Sequence, residues 1–241
     1  MKNLSTLCAI GLVVAACGGG YEPNFGPETP ATATQRAAID NTSREFAAIA
    51  NADLQGQAAA GAALEFALAA PALVNGAIVH PASGLGELDG LGGRSGIAQL
   101  TAPAALGACA VTTANSITWD HCEDQNGVVI DGSLKWSPGH VEIDLHVTGS
   151  NGQVQVSWSL TGSMTVSTTA LQGDMTVAFD ATAGGQHYAQ TVRSQIDVQL
   201  DHGCIISGTL TVTATGNGQG SVTGAVQVIW SACNKYVVRN G

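Results

Sequence analysis

His140-Val141-Glu142-Ile143-Asp144-Leu145-His146-Val147 is the stretch whose reading decides the fold. Valine, isoleucine and leucine occupy every second position, and His140, Glu142, Asp144 and His146 fill the gaps. A period of two is that of a β-strand with one apolar and one polar face. The pattern recurs in Val154, Val156, Trp158, Leu160, Met164 and Val166, and again in Val192, Ile196, Val198 and Leu200. Between the runs, Asn126-Gly127, Pro138-Gly139, Asn151-Gly152, Gly173-Asp174, Gly184-Gly185, Asp201-His202-Gly203 and Asn217-Gly218 read as reversals. Residues 108–241 are therefore expected to form an antiparallel meander of about eight strands, as a curved sheet, half-barrel or barrel.

Upstream of the meander the chain changes character. Residues 34–107 divide into an Ala-rich part and a Gly-rich connection. Thr42-Ser43-Arg44-Glu45 has the spacing of a helix capping box, and Phe46, Ile49 and Ala50 follow at helical intervals. One or two Ala-rich helices are expected between about Ser43 and Ala70, with Pro71 as the stop. The passage to Gly107 contains neither a phosphate-binding glycine motif nor the GxSxG spacing of a nucleophile elbow. The fold class is thus mainly β with a short N-terminal α segment.

The first residues carry an address. Met1-Lys2 and the apolar run Leu4 to Val14 read as an export signal, too short to cross a bilayer as a helix. The run ends in Val14-Ala15-Ala16-Cys17, which resembles the lipobox of bacterial lipoprotein precursors. The resemblance covers about the first twenty residues. It implies removal of residues 1–16, lipidation of Cys17 as the new N-terminus, and a membrane partner engaged through that anchor. With Gly18 after the cysteine it further implies the outer membrane. Two or three acyl chains give stable anchoring, since each buried CH₂ contributes about 0.8 kcal/mol. Residues 17–33, rich in Gly, Pro and Thr, are expected to be a flexible tether.

Of the six cysteines, Cys8 would leave with the signal and Cys17 would take lipid. Cys109, Cys122, Cys204 and Cys233 remain, an even number in an oxidising compartment, which favours two disulfides. Three connectivities are possible; proximity across turns favours Cys109 with Cys122 and Cys204 with Cys233. In the second pair a two-residue loop at Gly218-Gln219 conflicts with the shared parity of Leu210, Val212, Val226, Val228 and Trp230, so a bulge or another loop length is needed.

A net charge of -10, with acids scattered through the chain, argues against nucleic acid as a partner. Three groups bear on chemistry. His140, Glu142, Asp144 and His146 share one strand face, where imidazole and carboxylate at i and i+2 could ligate a metal; the competing reading is a solvated face. Asp120, Glu123, Asp124 and Asn126 crowd before a turn without the spacing of a calcium loop. His187 and His202 sit by turns. No catalytic residues are nominated, no cofactor is expected, and an envelope hydrolase has no motif to support it.

The functional reading turns on what covers the apolar face. A closed core leaves a non-catalytic envelope domain in a structural or interaction role. A hollow half-barrel would instead carry a lipid or other apolar ligand. A membrane-spanning barrel is the third arrangement, disfavoured by an aromatic content of only 5%.

Overall fold

The computed structural model describes residues 23–51, 61, 63, 66–67, 70–74, 109–123, 127–150, 154–218 and 221–241. The signal, the lipobox with Cys17, Leu64, Leu68, Asp124, Asn126 and most of the Gly-rich connection lie outside them.

One sheet of ten strands, each antiparallel to its neighbours in chain order, makes up most of the described chain. Its strands are β1 (Ala110–Thr112), β2 (Ser116–Glu123), β3 (Val129–Ser137), β4 (His140–Ser150), β5 (Val154–Val166), β6 (Ala170–Ala183), β7 (Gln186–Asp201), β8 (Cys204–Gly218), β9 (Gly224–Ala232) and β10 (Lys235–Asn240). The sheet is not closed: β1 and β10 are its edges. Ten strands replace about eight because two reversals were undercounted. One joins the short β1 to β2. The other joins β9 to β10 at Asn234, held in the left-handed region with φ 57°. Gly173-Asp174 is not a reversal but mid-strand in β6; the chain turns at Ser167–Thr169, where Ser167 Oγ accepts the amide of Ala170 at 2.9 Å.

The alternation anticipated for β4 holds: Val141, Ile143, Leu145 and Val147 are buried and the residues between them are exposed. Inner-face residues of β2 through β10 join Ile39, Phe66, Ala70 and Leu73 from the helical part in a single core. Along it, burial of each Val, Leu or Ile side chain contributes roughly 1.5–3 kcal/mol. Curvature comes from inner-face glycines. Gly162 and Gly208 have φ of +144° and +114°, and a Cβ at either would overlap the carbonyl oxygen of Asp174 or Asp197 on the adjacent strand. Glycine alone allows that close approach, and glycine kinks let a sheet bend toward its core.

The helix begins earlier than expected. α1 spans Ala33–Asn51, and its capping box is Thr32-Ala33-Thr34-Gln35. The Gln35 amide donates to Thr32 Oγ1 at 3.2 Å and the Thr32 amide to Gln35 Oε1 at 3.0 Å. Glutamine serves the box as well as glutamate does. Thr42 is therefore inside the helix and fully buried.

Part of the stretch expected as a tether is paired with the sheet. Gly26 donates to the Asn240 carbonyl at 2.9 Å, and Thr29 exchanges backbone bonds with Val238 at 2.8 and 3.0 Å. Glu28 adds an ion pair to Arg239 at 2.7 Å. This strap runs antiparallel to β10 and covers its outer edge.

Both disulfides are present. Cys109 bonds Cys122 with Cα atoms 5.3 Å apart, and Cys204 bonds Cys233 at 5.5 Å. The parity conflict resolves through the longer connection between Gly218 and Gly224, which pairs Leu210 with Val228 and Val212 with Val226.

Candidate functional site

The polar face of β4 was the first candidate. His140, Glu142, Asp144 and His146 are all exposed and share that face, but they are engaged within the sheet rather than gathered around a point. His146 Nε2 lies 3.0 Å from Asp144 Oδ1, His140 Nδ1 lies 3.5 Å from Thr165 Oγ1, and Glu142 stands opposite Lys135. Among the described residues, no group of three or more His, Cys, Asp or Glu is arranged to hold a metal. One strand supplies ligands along a line, and a coordination sphere needs donors from other elements. Asp120 and Glu123 of the second group lie on β2, with the remainder of that group undescribed.

Histidine and aspartate pair repeatedly on this exterior. His187 Nε2 meets Asp180 Oδ2 at 2.7 Å, and His202 Nδ1 meets Asp201 Oδ1 at 2.6 Å. Ser157 stands opposite Asp180, on the side away from β7, so the carboxylate and not the imidazole is its neighbour. A nucleophile needs the base in contact with its hydroxyl, and this order does not supply it.

Two clefts among the described residues lie at opposite ends of the strands. The smaller, about 390 Å³, is lined by Thr148, Ser150, Gln155, Ser157, Asp180 and Thr182. The larger, about 500 Å³, opens between α1 and the turns joining β7 to β8 and β9 to β10. Asp40, Ser43 and Arg44 form its helical wall. The Cys204–Cys233 disulfide holds the two turns together on the other side. At its base Tyr236 tilts against the buried Trp230, with ring centroids 6.4 Å apart and planes at 60°. Burial pushes the Tyr236 phenol above its ordinary pKa; the Asp40 carboxylate adds to the rise and Arg36 opposes it.

Sequence reasoning nominated no residue of the larger cleft as a binding group, Cys204 being singled out only for its disulfide. Asp40, Arg44, Asn234 and Tyr236 come from distant segments and share no motif. A buried structural residue, by contrast, did leave a signal. Gln190 interrupts the apolar alternation of β7 and is 2% exposed, and its amide is fully engaged with Thr215 and Val222. A polar residue at an apolar position marks a specific hydrogen-bonding demand.

Comparison with protein-family models, curated proteins and solved structures found no match. Among the described residues no helix is long and apolar enough to cross a membrane.

Proposed function

We propose that this chain is a lipid-anchored cell-envelope lipoprotein, held by Cys17 in the outer membrane, whose β domain has a non-catalytic structural or interaction role. The observation that carries the role is the filled concave face. Most apolar inner-face residues from Ile117 to Val238 are less than a tenth exposed and pack with helical residues in one core, with Trp158 and Tyr236 partly buried against it. Packing at that density leaves side chains in contact with each other rather than with a guest. Two clefts among the described residues lie at the ends of the strands, with polar groups in their walls. Anchoring rests on the lipobox Val14-Ala15-Ala16-Cys17 and on the chemistry of acyl chains.

The test has two arms. Metabolic labelling with an alkyne fatty acid should mark the wild-type chain and not Cys17→Ser; equal labelling would remove the anchor from the proposal. Intact mass spectrometry of the purified protein should give the same mass under native and denaturing conditions, apart from detergent. A lipid-sized adduct found only in the native spectrum would favour a carrier.

A further inference from the structure

We propose that the larger cleft is a saccharide site that takes a single pyranose ring. Its volume, about 500 Å³, falls within the range of small-molecule sites. The half-buried Tyr236 ring, braced by Trp230, offers a rigid aromatic surface beside Ile205. Such a surface suits the C–H face of a sugar and loses little entropy on binding.

The rim supplies what the edge of a sugar needs. The Asp40 carboxylate, the Ser43 hydroxyl, the Asn234 amide and the Tyr236 hydroxyl have no hydrogen-bond or ion-pair partner among the described residues. The Arg44 guanidinium spends Nε on the Asp40 carbonyl at 3.2 Å and one further nitrogen on Asn41 Oδ1, and it retains free donors. A sugar hydroxyl both donates and accepts. It can give its proton to Asp40 and take one from Arg44 or Asn234.

Other ligand classes fit less well. An apolar molecule would take water from Asp40 and Arg44 with nothing in exchange. A simple anion meets Asp40, and a simple cation meets Arg44. A zwitterion answers both charges but leaves Ser43, Asn234 and the Tyr236 hydroxyl unused. The Cys204–Cys233 bond fixes the wall carrying Asn234 before any ligand arrives, which lowers the ordering cost. The inference does not depend on lipidation of Cys17.

The experiment is a titration of the full-length protein, in a sugar-free detergent, with N-acetylglucosamine, glucose and, as a charge control, glycine. Tryptophan fluorescence and saturation-transfer NMR are the readouts. Saturable binding at millimolar sugar is expected, weakened at least about tenfold by Tyr236→Ala and by Asp40→Asn, and about threefold by Tyr236→Phe, which keeps the ring and removes only the hydroxyl. Circular dichroism checks the fold. Should the first two variants unfold, Asn234→Gly removes a rim amide while accepting the positive φ, and it should also weaken binding. Failure of both sugars to saturate overturns the site, as does saturation indifferent to Asp40→Asn and Asn234→Gly. Binding of glycine alone would replace the saccharide with a zwitterion and overturn the proposal.

Discussion

Gln190 and Val222 are tied by two reciprocal hydrogen bonds: Gln190 Nε2 donates to the Val222 carbonyl at 2.9 Å, and the Val222 amide donates to Gln190 Oε1 at 2.8 Å. A third bond reaches the Thr215 carbonyl at 3.0 Å. Gln190→Leu should lower unfolding stability by about 1–3 kcal/mol, because the partly buried Val222 amide and carbonyl lose their side-chain partner. Urea midpoints would measure it, and a loss below about 0.5 kcal/mol would contradict the assigned role.

Gly162→Ala should cost about 3 kcal/mol or more, since the new methyl overlaps the Asp174 carbonyl and the residue keeps φ +144°. Gly184→Ala also has positive φ, 56°, but meets nothing within 4 Å, so only about 1 kcal/mol is expected. The contrast between the two separates close approach from backbone strain. Equal effects would mean that curvature does not depend on Gly162.

Thr42→Val should stabilise the protein by about 1 kcal/mol, because Thr42 Oγ1 is buried without a hydrogen-bond partner. Thr32→Ala should destabilise it by about the same amount through loss of the helix cap. Opposite signs in thermal melts would show where α1 begins. Destabilisation by both would restore Thr42 as a cap.

The disulfides should reduce in order. Cys122 is fully buried, whereas Cys233 is exposed at a turn. Mild reductant followed by alkylation and peptide mapping should label Cys204 and Cys233 first. Each bond stabilises by about 3–4 kcal/mol on loop-closure entropy, with sequence separations of 13 and 29 residues. Simultaneous labelling of all four cysteines would show that opening the exposed bond unfolds the sheet.

Alkaline pH should weaken the fold through Tyr188 and Tyr236. Burial raises both phenols in the folded state, so the unfolded chain loses its protons first. Their contribution is present below the ordinary tyrosine value of about 10 and is lost as pH rises through the folded values. Melting temperatures should fall less steeply above that pH in Tyr236→Phe than in wild type. An unchanged slope in that variant and in Tyr188→Phe would assign the alkaline loss to other groups.

Much of the sheet was legible because alternation is a local signal: four residues of β4 suffice to reveal which face is buried. The disulfide pairs were legible for a related reason, since each closes across nearby turns. The start of α1 was misread because Thr42-Ser43-Arg44-Glu45 and Thr32-Ala33-Thr34-Gln35 have the same spacing. Only packing of Thr42 against the core distinguishes them. Gly173-Asp174 misled because glycine and aspartate mark turns by composition, whereas here Gly173 lies beside Met164 within the sheet, with Ser163 O 3.0 Å from where its Cβ would be. The cleft joining Asp40 to Tyr236 depends on long-range contacts that no short pattern encodes.

The strap on β10 sets a leash. Nine peptide steps separate Cys17 from Gly26, the first of the described residues hydrogen-bonded to the sheet, and at full extension they span about 30 Å. In a chain lipidated at Cys17, the domain would ride within about a bilayer's thickness of the membrane surface. The tether would join the domain at the Asn240 end of β10, which Gly26 grips, and Asn234 lies about 20 Å away at the other end of that strand.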